Sequence, residues 1–73
     1  MFGSWRGLVR QQVVVNTAER AFAGVLWARR GPLLVLRNVV VHEPGTQPQE
    51  VDGEVVVERS RVEFIQVVQV VAA

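Results

Sequence analysis

Eighteen of the 73 residues are valine, and they fall in short runs separated by turn-forming residues. Two heavy atoms on Cβ stiffen χ1, which lowers helix propensity and suits a pleated surface. The chain is therefore biased toward strands. Val13-Val14-Val15-Asn16 reads as a first strand, closed by a tight connection at Thr17-Ala18-Glu19-Arg20. Ala21 to Trp27 is a second, and its Gly24 sits where glycine marks a bulge, a sharp bend or a close backbone approach. Arg29-Arg30-Gly31-Pro32 is a turn, since proline fixes its own φ and offers no N–H. Leu33 to His42 is a third strand, interrupted by Arg37-Asn38, and Glu43 to Glu50 is a polar, proline-containing loop. Gly53 to Glu58 is a fourth strand, Arg59-Ser60 a short link, and Arg61 to about Val67 a fifth. Asn16 and Asn38 read as strand-end or turn asparagines bonded to backbone.

Before the first strand the period changes. Ser4 suits an N-cap, and Trp5, Leu8 and Val9 form an apolar stripe at helical spacing. One or two helical turns are expected over residues 4–11, although Gly7 weakens them by about 1 kcal/mol relative to Ala. The expected architecture is one all-β domain: a short N-terminal helix, a small, strongly bent five-stranded barrel over residues 13–67, and a tail over 68–73.

A chain of this length buries only about 60% of its unfolded surface, and one core of this size supplies about 3–5 kcal/mol at most. Natural mini-domains add disulfides, metal or oligomerisation. Cysteine is absent, and His42 is the single histidine, with no metal-ligand neighbour. Oligomerisation is the remaining staple. Val55-Val56-Val57 and Phe64-Ile65-Gln66-Val67-Val68 are apolar on both faces, and a strand of that kind belongs inside an assembly. In a lone barrel the two would be sticky edges. Pairing the fourth strand of one copy with the fifth of the next removes both, through a heterologous contact that closes into a ring if the rotation allows. The expected interface residues are Val55, Val56, Val57, Val62, Phe64, Ile65 and Val67.

All eight basic residues are arginine, and against seven acidic ones they leave a net charge of +1. That is not the basic footprint of a dedicated nucleic-acid binder. No segment reaches the length of a membrane span, and the N-terminus shows no apolar signal region, so a chain of the cytoplasm or of a virion is expected. No nucleophile stands beside a base, no carboxylates converge, and no glycine loop is built to cradle phosphate. The expectation is a protein that is not an enzyme and uses no cofactor or metal.

In this order the residues resemble the Sm-like (LSm) family over roughly residues 5–67. Phe22-Ala23-Gly24-Val25-Leu26 matches an aromatic-x-Gly-x-Leu core with its bend glycine, and Leu33 to Val39 matches the apolar third strand. Gly53-Glu54-Val55-Val56-Val57, followed by Arg61-Val62-Glu63-Phe64-Ile65, parallels the family's second motif. The resemblance implies a short helix, a bent five-stranded barrel, and rings of five to seven copies joined between strands four and five. It does not bring RNA binding with it. Leucine stands where RNA-binding members carry a base-contacting Asn, in a turn one residue shorter, and Glu58-Arg59 replaces their Arg-Gly pair. A carboxylate facing phosphates is repulsive.

Arg29, Arg30, Arg59 and Arg61 fall in the two turns that line the pore of such rings, and Trp27 lies close by. They are candidates for contact with a nucleic-acid strand or an acidic partner, weighed against a plain solubilising role. Trp5 and Trp27 are more simply read as packing residues. Three readings follow. The favoured one is a structural, protein-interaction ring that docks on a symmetric assembly, such as the capsomers of a bacteriophage capsid. The others are an RNA-binding regulator with an arginine-lined pore, and a monomeric SH3-like barrel whose fifth strand is paired within one chain. Charging the proposed seam, by Val56→Glu or Ile65→Lys, is expected to break the assembly or aggregate the chain, as native mass would show.

Overall fold

The computed structural model describes residues 6–68. They form one five-stranded antiparallel sheet of β1 (Gln12–Thr17), β2 (Ala21–Arg30), β3 (Leu33–His42), β4 (Gln49–Glu58) and β5 (Val62–Val67). The strand order is β4-β3-β2-β1-β5. The fifth strand is thus paired within the chain, to β1, and Val68 extends that ladder by donating to the Gln12 carbonyl at 2.9 Å.

This order forces the sheet to curl. β4 and β5 are its two edges, yet only the 3-10 turn Arg59–Arg61 joins them. In a flat sheet four spacings, roughly 19 Å, would separate them. They also run in the same direction, so the exit of β4 and the entry of β5 would lie at opposite ends. Four residues reach at most about 14 Å when extended. The sheet must fold over until the two edges meet at one corner, which gives the barrel-like form.

The bend runs across three strands. Opposite Gly24 the β2–β3 register slips between Ala23 and Val25, and the β3–β4 register slips between Arg37 and Val39. Asn38 holds φ at 54° and Gly53, in mid-β4, at 80°. Asparagine and glycine are the residues that tolerate this region. At Asn38 the inward side of β3 changes parity: Leu34 and Leu36 fill the core before it, Val39 and Val41 after it. Gly24 is needed for a different reason. A Cβ there would stand 2.7 Å from the Arg37 carbonyl oxygen and 3.0 Å from Val39 Cγ2.

Inside the curl lie Val13, Val15, Leu26, Leu34, Leu36, Val39 and Val57, ringed by Leu8, Phe22, Val41, Val51, Val55, Val62 and Ile65. No buried side-chain polar atom among the described residues lacks a partner.

Three sequence expectations need correction. The N-terminal segment forms a single 3-10 turn, Arg6–Leu8, in place of one or two helical turns. Arg10 takes φ 73° and donates its amide to the Leu26 carbonyl at 2.6 Å, so the sheet claims the backbone a helix would need. Ser4 and Trp5, and the tail beyond Val68, lie outside the described residues. The loop after β3 is shorter than expected, because Gln49, Glu50 and Val51 already pair with Val41, Val40 and Val39. Pro48, which has no N–H for a ladder, marks where pairing begins. Asn38 is a mid-strand bulge residue and not a strand end.

Gly24→Ala is expected to lower unfolding stability by about 1–3 kcal/mol through overpacking at the bend. Gly7→Ala, with nothing within 4 Å of its added Cβ, is expected to be neutral or to stabilise by up to about 1 kcal/mol. Urea unfolding of the two variants checks the contrast. Equal losses would mean that the β2–β3 approach is not the tight point.

Candidate functional site

The two outermost strands, β4 and β5, present unpaired donors and acceptors along one edge each, and the Trp27–Arg30 end of β2 extends past its β1 partner. Both edges carry exposed apolar side chains: Val56 on β4 is 54% exposed, Phe64 on β5 is 55%, and Val67 and Val68 are 41% and 42%. They are the largest exposed hydrophobic side chains among the described residues.

The seven seam residues expected from sequence separate into two groups. Val56, Phe64 and Val67 face solvent. Val57 is buried in this chain's own core, and Val55, Val62 and Ile65 pack against that core. Alternation explains the division. Val55 and Val57 pair with Leu36 and Leu34, both inward, whereas Val56 pairs with Val35 on the other face. Val35 is itself buried, flanked in the sheet by Ala28 and Val56. A small apolar layer therefore exists on the outer face as well, and it hides the alternation in the sequence.

Where β4 and β5 diverge, a groove of about 740 Å³ opens toward the β1–β2 turn. Phe22, Val56 and Val62 supply its apolar lining, with Glu58, Arg61 and Glu63 among its charged groups. Phe22 reads in the sequence as the aromatic of the core motif, and its place in the groove follows only from the curl.

The arginine candidates gather at one corner. Arg29 and Arg30 end β2, and Arg59 and Arg61 bound the turn after β4. The Arg59 amide donates to the Pro32 carbonyl at 2.7 Å, which ties the two turns together. Arg30 pairs with Leu33, and Leu33 with Glu58, so the three lie on one rung. Arg61 reaches Glu58 at 3.4 Å in an exposed pair.

Trp27 is not a member of this corner's open surface. The Arg10 and Arg37 guanidinium carbons stand over its ring, 3.9 and 4.0 Å from the centroid. Arg10 Nε also donates to the Trp27 carbonyl at 3.4 Å, and Arg37 Nε to Glu54 Oε2 at 2.9 Å. The indole's π surface is already engaged by two cations of the same chain. No local spacing announces this, because Arg10 in the turn before β1, Trp27 on β2 and Arg37 on β3 meet only in the folded sheet.

His42 is exposed at the end of β3, and no cluster of metal-ligating side chains forms among the described residues. Asn16 donates from Nδ2 to the Val14 carbonyl and to Gln66 Oε1, linking β1 to β5. No helix among the described residues is long and apolar enough to cross a membrane.

No family model matches the chain, and no curated protein sequence does either. Among solved structures, a chain in the crystal structure of the NatC complex bound to CoA is similar, with a TM-score of 0.74 and 21% identity. The match covers 94% of this chain and 90% of that one. A likeness at that identity speaks for the fold: one small all-β domain accounts for nearly the whole of both chains.

Proposed function

We propose that this protein is a non-enzymatic assembly module of the Sm-like kind. Copies join edge to edge, β4 of one to β5 of the next, and the resulting ring docks on a protein partner. The observation that carries this reading is the pair of free sheet edges, each bearing exposed apolar side chains and separated in the chain by one three-residue turn. A strand added at either edge satisfies the backbone and covers Val56 or Phe64 in one step. The contact is heterologous, and the curl of each copy supplies the rotation needed for closure. A similar fold serving as a chain of the NatC complex supports a role as a subunit.

The arginine corner favours a second reading, contact with a nucleic-acid strand. Against it stand Glu58 on the same rung as Arg30, the leucines that follow the β2–β3 turn, and the occupied face of Trp27.

Phe64→Asp probes the seam without touching the buried core, and Val56→Asp probes it from beside Val35 in the outer apolar layer. Ile65→Lys probes the fold as well, because Ile65 packs against that core. Native mass spectrometry of the untagged protein is expected to give a ring of five to seven chains, and each aspartate variant a folded monomer by circular dichroism. A wild-type monomer would instead leave an SH3-like barrel, and a ring that survives both variants would exclude this seam. A raised 260 nm absorbance that falls with salt would move the reading to nucleic acid.

A further inference from the structure

We propose that the corner formed by Arg29, Arg30 and Arg59 is a docking surface for an acidic polypeptide segment, one whose carboxylates are spaced by apolar residues. The inference takes up the docking half of the function proposed above and rests on it, but it uses surfaces that a single chain already carries.

The chain's own arginines supply the first argument. Arg20 bonds Glu43 and Arg37 bonds Glu54, each at 2.9 Å, while Arg10 stacks on Trp27. Arg61 reaches Glu58 more loosely, at 3.4 Å. Arg29, Arg30 and Arg59 have no carboxylate within bridging distance and no aromatic ring beneath them among the described residues. All three are exposed, Arg29 and Arg30 at the end of β2, and the Arg59–Pro32 backbone bond ties the turn that follows them to the one that carries Arg59. Arg30 and Glu58 sit two strands apart on one rung, roughly 10 Å, so the backbone of Arg59, next after Glu58, lies a short span from that of Arg30. Planar guanidiniums take carboxylates bidentately, which gives direction as well as charge.

The second argument is what the corner lacks. Bases need a free stacking face, and the Trp27 ring is engaged. A nucleic-acid backbone also brings a charge at every nucleotide, and here it would run past Glu58, Glu63 and Glu19, which line the adjoining groove. A polypeptide can place its carboxylates at the arginines and uncharged residues elsewhere. The groove beside the corner offers those residues an apolar lining in Phe22, Val56 and Val62. Ser60 lies between the two, on the groove wall.

The test is fluorescence anisotropy with two labelled probes of equal charge, a short peptide alternating Glu with Leu and an oligouridylate, titrated with the full chain at fixed salt. The peptide is expected to bind more tightly than the oligonucleotide. Arg29→Glu combined with Arg30→Glu is expected to weaken peptide binding by about tenfold or more. Arg59→Ala, which keeps the turn's backbone bond, is expected to weaken it several-fold and covers the case where the double variant fails to fold. Arg37→Ala, at the paired Arg37–Glu54 bridge and outside the groove lining, is expected to leave it unchanged. Tighter binding of the oligonucleotide, no binding of the peptide, or equal losses in Arg37→Ala and Arg59→Ala would each overturn the proposal. Native mass read on the same samples reports separately on the ring, so the loss of one reading is not mistaken for loss of the other.

Discussion

A three-residue connection between the two outermost strands of a sheet is the constraint on which the rest of this structure depends. β4 and β5 lie at opposite edges, and only Arg59–Arg61 spans them. No flat or gently twisted sheet satisfies that link. The bend is therefore obligatory, and the chain concentrates it where the backbone is most permissive: Gly24 in β2, Asn38 in β3 and Gly53 in β4. Gly24 lets two strands approach more closely than any side chain allows, while Asn38 and Gly53 adopt positive φ. Two physical devices thus produce one crease.

The same curl leaves the molecule incomplete. Folding the sheet over brings β4 and β5 to a common corner without pairing them, so a row of backbone donors and acceptors stays open on each side of the groove. Among the described residues, a core cluster of seven valines and leucines offers little surplus stability. A partner strand supplies what is missing in both respects, hydrogen bonds for the edge and cover for Val56 and Phe64. Assembly, as proposed, would then draw on the same deficit as folding, which is the physical ground for proposing an edge-to-edge contact over a partner bound on the closed faces.

Much of the fold is legible in the residues. The valine runs locate five strands, Gly24 announces the crease, and Gly31-Pro32 the turn beside it. Legibility fails where two faces are both apolar. Val55-Val56-Val57 carries no polar residue to show which side is inward, and only the pairing with Leu34, Val35 and Leu36 decides it. It fails again at Asn38, where one bulge shifts the inward parity of β3 and makes an interior residue look like a strand end. The N-terminal helix is overread because helical spacing of Trp5, Leu8 and Val9 says nothing of the sheet backbone that competes for Arg10 and Gln11. The Arg10–Trp27–Arg37 contact lies beyond any local pattern, since the Arg10–Leu26 backbone bond and the pairing of β2 with β3 bring those residues together.

Charge shows most clearly why composition and site must be kept apart. A net charge of +1 argues against a general affinity for polyanions. Yet the chain does not neutralise itself uniformly, for it pairs Arg20 and Arg37 tightly and leaves Arg29, Arg30 and Arg59 without partners among the described residues. The exposed acids Glu50 and Asp52 are far from them: Glu50 pairs with Val40, seven residues along β3 from Leu33. That is roughly 23 Å of strand path, bent at Asn38, against a screening length of about 8 Å at physiological ionic strength. Over such a distance the two ends do not cancel in water, and a ligand at the arginine corner meets a local cationic field that the net charge conceals. In a ring the field would be repeated with the symmetry of the assembly. Selectivity would then fall to the flanking Glu58 and Glu63, which penalise a continuous anion more than a spaced one.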